Sequence, residues 1–201
     1  MSLIPINLAT EDELSEVTLL TILAATKRYA VGTAYRRGGF GYLRRTVPGW
    51  NHAAKGVPFV VLADLDAAEC PARLIEDWLP GQRHPNLLFR IAVREIESWI
   101  LADPIHLSEF LKVQKVHAFS NTDSIPDPKA AIVKLADGSR SRTIRECIVP
   151  RRGSTAKQGP DYNGCLSRFV RDHWDHDIAR QNSPSLRRAL ERLSSFEPTW
   201  R

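Results

Sequence analysis

The sequence has few cysteines and lacks the glycine patterns that mark common nucleotide sites. Its three cysteines, Cys70, Cys147 and Cys165, are too far apart in sequence for a zinc-ligand spacing. An odd number of cysteines also argues against a secreted disulfide framework, so we expect the chain to fold in a reducing compartment. Neither a G-x-G-x-x-G turn nor a Walker A motif is present, which excludes the usual dinucleotide fingerprint and a P-loop ATPase site from this sequence.

Long hydrophobic runs are also missing. No segment approaches the roughly 18 consecutive apolar residues that a membrane span requires. The opening residues, MSLIPINLATEDE, lack the basic start and the apolar stretch of a signal peptide. We therefore predict a soluble, cytoplasmic protein that does not contact a membrane. Its apolar fraction of 43% suits a globular chain that buries a core.

Two arginine-rich segments stand out although the net charge is only +5. They read RRGGFGYLRR at 36–45 and RRGSTAKQG at 151–159. Glycines let backbone N–H groups approach an anion while arginines neutralise it, so both segments are candidate phosphate contacts. The alternatives are a tight turn with a basic rim for the first segment and an ordinary exposed loop for the second. The candidate nucleic-acid contacts are Arg36, Arg37, Arg151 and Arg152.

The first half of the chain alternates between short apolar runs and helical patterns, which is typical of βαβ units. The predicted strands cover residues 3–8, 29–35, 58–63 and 86–93. The predicted helices cover residues 10–25 with Thr10 as N-cap, 40–54 with a break near Pro48, 71–79 and 94–103. Parallel strands need crossover connections, so this alternation predicts an open, mainly parallel four-stranded sheet flanked by helices.

From about Pro104 the pattern changes to short helices joined by clusters of Pro, Gly, Ser and Asp. The predicted helices cover residues 105–113, 127–136, 140–148, 163–177 and 184–195. Within 163–177, His173 and His176 would share a helical face, but no third metal ligand has a recognisable spacing from them. We therefore divide the chain into an α/β core, residues 1–103, and a helical extension packed on it, residues 104–201.

Acidic residues follow three of the predicted strands. Glu11 follows the first strand, Asp64 and Asp66 end the third, and Glu95 and Glu97 follow the fourth. If the extended conformation persists through Asp66, its carboxylate faces the same side as that of Asp64. Ligands of open parallel sheets gather at the carboxyl ends of the strands. Three or more carboxylates at that edge predict a site for Mg²⁺ or Mn²⁺.

This arrangement resembles the Toprim domain of topoisomerases, primases and OLD-type nucleases, which carries a Glu after its first strand and D-x-D after its third. The chain is more closely similar to the DUF4276 group of uncharacterised bacterial Toprim-like proteins. The motifs that carry this similarity are TEDELSE at 10–16, VVLADLD at 60–66 and IESWILAD at 96–103. Three later segments are also similar to that group, namely GPDY at 159–162, FVRDHWD at 169–175 and SPSLRRAL at 183–190.

The resemblance implies a metal-dependent nuclease that hydrolyses phosphodiester bonds of DNA or RNA with Mg²⁺ or Mn²⁺, and a role in bacterial phage defence. It implies that Glu11, Asp64 and Asp66 bind the ion, and it makes Glu97 a further catalytic candidate.

OLD-like nucleases carry a second acid four residues after the first, where this chain has Ser15. Glu13 and Glu16 are the neighbouring acids that would replace it, and we take Glu16 as the candidate metal ligand. Lys157 in the second basic segment would stabilise developing charge on the phosphate.

Nucleic acid is the expected partner. The resemblance implies that an ABC-type ATPase, if the reaction needs one, is a separate chain, and it leaves a homo-oligomer open. One alternative is a non-catalytic Toprim module that binds nucleic acid or an ATPase. Another is a phosphatase of the haloacid-dehalogenase type, because DLDAA at 64–68 is similar to the D-x-D that opens those enzymes. That motif lies on their first strand, whereas here it follows the third predicted strand.

Overall fold

The computed structural model describes residues 2–36, 38–114 and 120–200. Its four strands are β1 (Ile4–Ala9), β2 (Tyr29–Tyr35), β3 (Phe59–Asp64) and β4 (Leu87–Ala92). They form one sheet in the order β2-β1-β3-β4, and each neighbouring pair is parallel. The predicted open parallel sheet flanked by helices is therefore confirmed.

Ten α-helices lie in the described part of the chain. They are α1 (Glu13–Thr26), α2 (Gly39–Ala53), α3 (Pro71–Trp78), α4 (Glu97–Leu101), α5 (Pro104–Leu111), α6 (Pro128–Asp137), α7 (Arg142–Ile148), α8 (Tyr162–Asp172), α9 (His176–Asn182) and α10 (Pro184–Ser194). A short 3-10 helix covers Thr122–Ser124. Three helices, α5, α6 and α10, begin with proline directly after an Asp or Ser whose side chain accepts a backbone N–H. Both features favour a helix start.

The sheet buries both of its faces. Along β3, Val60 and Leu62 belong to one apolar cluster, while the alternating residues Val61 and Ala63 belong to another. Helices α2 and α3 cover the second face. The first face is covered by α1 and by helices of the extension, with α8 packed against α1 and α10 against β4. A strand that is buried on both sides explains the unbroken apolar run that precedes Asp64.

The helix that follows β1 starts later than the sequence pattern predicts. Thr10 is not its N-cap, because the Thr10 N–H continues the sheet by donating to the Tyr35 carbonyl at 3.1 Å. Asp12 is the N-cap, and its carboxylate accepts the Ser15 N–H at 2.9 Å. The α1 helix therefore begins at Glu13, and Glu11 lies in the connection between strand and helix.

The prediction that the second helix breaks near Pro48 is wrong. Helix α2 runs through Pro48, which is exposed. Proline removes one intrahelical hydrogen bond. Leu43, Val47 and Trp50 are buried at helical spacing along the same helix, and their packing on the sheet outweighs that loss.

Two other predicted helices have different bounds in the structure. The segment 163–177 is divided, because α8 ends at Asp172 and Asp175 caps the start of α9. His173 and His176 therefore do not share a helical face. The helix predicted over 94–103 starts only at Glu97, since Arg94 has a left-handed backbone with φ 54°.

In the part of the chain that the structure describes, no helix has both the length and the apolar character needed to cross a membrane.

Candidate functional site

The carboxyl ends of the strands bring acidic side chains together. Asp64 is the last residue of β3, and Glu11 lies two residues beyond the end of β1. The backbone N–H of Asp64 donates to Oε1 of Glu11 at 3.1 Å. This hydrogen bond holds the Glu11 carboxylate against the end of β3, as expected for the adjacent parallel strands β1 and β3.

Asp66 does not continue the strand, which corrects the expectation of an extended chain through this residue. Asp66 has φ 48°, and Arg94 on the neighbouring connection has φ 54°. The Asp66 N–H donates to the Arg94 carbonyl at 2.8 Å, and Nη1 of Arg94 donates to the Asp66 carbonyl at 3.1 Å. Left-handed backbone at residues other than glycine costs energy and is concentrated at functional sites. These hydrogen bonds hold the two left-handed residues together beside the carboxyl ends of the strands.

Helix α4 brings a buried carboxylate to the same edge, and α6 supplies a cation. The Glu97 side chain is 2% exposed, and Nζ of Lys129 lies 3.5 Å from its Oε1. Lys129 also lies 3.7 Å from Oε1 of Glu95. The Lys129 side chain is 33% exposed. Sequence reasoning missed Lys129, because its position depends on the packing of α6 against α4 and not on any motif.

Burial raises the pKa values of the carboxylates in this group. It raises the pKa of Glu11 to about 7, with the hydrogen bond from Asp64 acting in the opposite direction. It raises the pKa of Glu97 to about 7 as well, opposed by the charge of Lys129. Burial and the charges of Glu97 and Glu11 raise the pKa of Asp64 well above its usual value. The raised pKa values mean that the folded protein disfavours the charged form of each of these carboxylates.

Two further residues complete the group, and sequence reasoning had not assigned either of them to it. Tyr162 at the start of α8 is 1% exposed. Burial and the charge of Glu97 raise the pKa of its phenol, which therefore stays protonated beside that carboxylate. Asp12 caps α1, and its Oδ2 accepts a hydrogen bond from Asn163 at 3.4 Å. Its charge also raises the pKa of Glu11 and Glu97.

Several oxygen atoms of this group are buried without a hydrogen-bond partner in the described part of the chain. They are Oδ1 of Asp64, Oε2 of Glu95, Oε2 of Glu97 and the hydroxyl of Tyr162. Buried carboxylate oxygens are normally paired, because leaving them unpaired costs free energy. Carboxylate oxygens are the ligand type that Mg²⁺ and Mn²⁺ prefer, but no three carboxylates of this group have ligand atoms within 4.8 Å of one another in the described structure. We call Glu11, Asp12, Asp64, Asp66, Glu95 and Glu97 the acidic cluster.

A cleft of about 470 Å³ opens beside the acidic cluster. Asp66, Arg94 and Glu95 line it on the sheet side, and Asp123 and Asp127 line it on the side of the helical extension. The cleft gives solvent and a substrate access to the rim of the cluster. The deeper carboxylates, Asp64 and Glu97, are not part of its lining.

The other predicted ligand, Glu16, lies in an ion pair with Arg36. Nε of Arg36 is 3.0 Å from Oε2 of Glu16, and Nη1 of Arg36 is 3.7 Å from Oε2 of Glu13. The structure thus places Arg36, a predicted nucleic-acid contact, between two carboxylates of α1 that balance its charge. Arg37, the second predicted contact in that segment, lies outside the described residues.

The other predicted basic residues lie in the exposed loop between α7 and α8. Arg151 and Arg152 are exposed and line a surface cavity of about 770 Å³. Lys157 is exposed, and its side chain forms no ion pair within residues 2–36, 38–114 and 120–200. Gly159 closes the loop by donating to the Ile148 carbonyl at 2.8 Å, and any Cβ there would collide with the Cys147 carbonyl. The loop is thus fixed at its base and exposed along its length.

Asp175, His176 and Asp177 are the one group of three among the described residues whose ligand atoms lie within 4.8 Å of one another. Oδ1 of Asp175 already accepts the N–H groups of Asp177 and Ile178 as the N-cap of α9. These contacts account for the arrangement as a helix start.

Comparisons of this chain with protein-family models, with curated proteins and with solved structures found no match. The Toprim resemblance therefore stays a prediction, and the interpretation of the site depends on its own geometry.

Proposed function

We propose that this protein hydrolyses phosphodiester bonds of nucleic acid with the help of Mg²⁺ or Mn²⁺ bound at the acidic cluster. The observation that carries the proposal is Oδ1 of Asp64, a buried carboxylate oxygen that has no hydrogen-bond partner among the described residues. Six carboxylates surround one lysine there, so the cluster has too little positive charge without a cation. Glu11, Asp64 and Glu97 would hold the ion, with Asp66 at the solvent side.

A bound Mg²⁺ or Mn²⁺ would offset negative charge on the scissile phosphate and lower the pKa of a bound water. Burial raises the pKa values of Glu11 and Glu97 to about 7, and both carboxylates would have to be deprotonated to hold the ion. Glu95 lines the cleft, and its side chain is 23% exposed, so it is our candidate for the residue that accepts the proton of the attacking water.

Lys129 is the cation that the helical extension supplies to this site, and its side chain is partly exposed. Burial lowers the pKa of its ammonium, but Glu97 and Glu95 raise it, and the net shift is upward. Lys129 therefore keeps its proton at neutral pH. Its partial exposure lets it donate to a non-bridging oxygen of the phosphate and stabilise the charge that develops there.

The resemblance to OLD-type nucleases supports nucleic acid, DNA or RNA, as the substrate. It also supports a separate ABC-type ATPase chain as partner and a role in phage defence. Phosphodiester chemistry itself is supported by the oxygen-only cluster beside an open cleft.

The first prediction tests the cation and the reaction together. We expect Mn²⁺ to raise the melting temperature of the wild-type protein, and we expect cleavage of single- or double-stranded DNA or RNA with Mg²⁺ or Mn²⁺ and none in EDTA. Asp64→Asn keeps the shape of the side chain but removes a ligand charge, so both effects should disappear. Glu76→Gln is the matched control, because Glu76 is exposed on α3 beside Arg73.

Equal cleavage in EDTA, or full activity of Asp64→Asn, would contradict the proposal.

A second candidate, a non-catalytic module, is favoured by the ion pairs of Lys129 with Glu95 and Glu97, because they supply positive charge without a metal. That candidate predicts no effect of Mn²⁺ on melting and no cleavage by the wild-type protein under any of these conditions.

A further inference from the structure

The edge strand β4 carries a partly buried arginine without a counter-ion. Leu88 and Ala92 belong to the apolar cluster under the helical extension, so Arg90 between them projects from the same face, where α10 packs. Its Nε donates to the Phe89 carbonyl at 2.7 Å. Within residues 2–36, 38–114 and 120–200, Arg90 forms no ion pair with a carboxylate.

Three more arginines lie on the chain segments next to Arg90. Arg83 is exposed in the connection before β4, and Arg188 and Arg192 are exposed one turn apart on α10. Burial and the positive charges of these three residues lower the pKa of Arg90 to about 10. Like charges that are held together destabilise the fold unless an anion compensates them.

Some arginines elsewhere on the molecule are paired with carboxylates. Six of them form ion pairs within 4 Å of a carboxylate: Arg28 with Glu197, Arg36 with Glu16, Arg73 with Glu76, Arg142 with Glu146, Arg168 with Asp161 and Arg180 with Asp177. In the described part of the chain, Arg83, Arg90, Arg188 and Arg192 have no such partner. Even Glu191, which precedes Arg192 on α10, forms no ion pair there. Arg90 differs from exposed unpaired arginines elsewhere among the described residues, such as Arg44, Arg151 and Arg187, because its side chain is partly buried.

This edge leads toward the acidic cluster. Ala92, at the end of β4, pairs in register with Asp64, and Arg90 lies two residues earlier, about 7 Å along the strand. Arg94, two residues beyond Ala92, lines the cleft. At the other end of the strand, Asn86 exchanges hydrogen bonds with the backbone of Thr199, and the following residue, Trp200, is 55% exposed. Exposed aromatic rings beside a basic groove are platforms for stacking bases.

We propose that the β4 edge, formed by Arg83, Arg90, Arg188 and Arg192, binds the phosphate backbone of a nucleic-acid strand and directs it to the acidic cluster. This inference rests on the proposed function, because it assigns a binding surface to the same substrate. The contacts are to phosphate, so the surface binds without reading base sequence.

The test is equilibrium binding of a fluorescently labelled single-stranded oligonucleotide in EDTA, measured by anisotropy at several salt concentrations. Arg188→Gln combined with Arg192→Gln should weaken binding by roughly tenfold or more and reduce the salt dependence, log Kd against log salt, by about 1.4, since each lost phosphate contact contributes about 0.7. Arg73→Gln combined with Arg180→Gln is the matched control, because it removes the same charge from arginines that are paired with carboxylates. The control should bind as the wild-type protein does, and all variants should melt within a few degrees of it.

Equal affinities of the two double variants would overturn the inference, as would a wild-type protein that binds no oligonucleotide. A separate readout isolates the acidic cluster: hydrolysis of bis(p-nitrophenyl) phosphate with Mn²⁺ by the wild-type protein and by Asp64→Asn. That diester has a single phosphate, so when its phosphate is at the cluster it offers none to the arginines of the β4 edge. Hydrolysis without oligonucleotide binding therefore contradicts only the binding surface, whereas arginine-dependent binding without any hydrolysis contradicts only the proposed function.

Discussion

Glu97 illustrates at the residue scale how the acidic cluster stores unfavourable energy. Its carboxylate is 2% exposed and one of its oxygens has no hydrogen-bond partner in the described chain. Burial raises its pKa from 4.5 to about 7, so the folded protein favours the protonated form while the unfolded chain does not. The stability that the fold gains from protonated Glu97 is fully present below pH 4.5. It is lost as the pH rises to about 7, where the buried carboxylate becomes charged.

The second prediction follows from that sign. In EDTA, Glu97→Gln should be as stable as the wild-type protein near pH 4 and more stable at pH 8, by up to about 3 kcal/mol, since one pKa unit corresponds to about 1.4 kcal/mol. Urea unfolding across this pH range measures the difference. Glu76→Gln, at an exposed position, should show no such trend. A Glu97→Gln variant that is less stable than wild type at pH 8 would mean that the ion pair with Lys129 dominates over burial.

The residues of the candidate site differ in how far sequence could place them. Glu11, Asp64 and Glu97 lie at or beyond the carboxyl ends of three parallel strands, and that topology brings them to one edge of the sheet. Lys129 and Tyr162 reach the same point through the packing of α6 and α8, which no local pattern specifies. The positive charge beside the carboxylates therefore could not be assigned from sequence.

At the scale of elements, local rules predicted strands better than helix ends. The strand predicted over residues 29–35 has the bounds observed for β2, Tyr29–Tyr35. The left-handed turn at Asp66 and Arg94 could not be predicted, because residues other than glycine rarely adopt positive φ. The two residues hold this conformation through hydrogen bonds between separate connections of the sheet, which are tertiary contacts.

The third prediction concerns Pro48, where packing overrides a local helix breaker. Pro48→Ala should restore a backbone hydrogen bond inside α2, while the loss of proline makes the unfolded chain more flexible, at a cost of about 1 kcal/mol. Since an internal proline costs about 3 kcal/mol, we expect a net stabilisation of about 1–2 kcal/mol. Thermal or urea unfolding measures it, with Arg45→Ala at an exposed position of the same helix as control. A destabilised Pro48→Ala would indicate that α2 gains nothing from the additional hydrogen bond.

At the scale of the whole molecule, the helical extension and the sheet share one apolar cluster. Leu166 and Phe169 of α8 belong to the same buried cluster as Leu14 and Leu19 of α1 and Leu62 of β3. The extension also supplies Lys129 and Tyr162 to the acidic edge, which the sheet residues alone would leave more negative. Folding of the extension and assembly of the candidate site are therefore expected to be coupled.

The last prediction tests that coupling. Leu166 is fully buried in α8, so Leu166→Ala should destabilise the protein by about 2–5 kcal/mol through lost burial and the cavity left behind. If the chain unfolds as one unit, far-ultraviolet circular dichroism and tryptophan fluorescence should report the same shifted urea midpoint. The fluorescence includes that of Trp50 and Trp78. These two side chains belong to the apolar cluster on the opposite face of the sheet from Leu166. Leu3→Ala, at a side chain that is 53% exposed, should change the midpoint little. Two separate transitions in Leu166→Ala, with the fluorescence of the far face unchanged at low urea, would show instead that the α/β core folds independently of the extension.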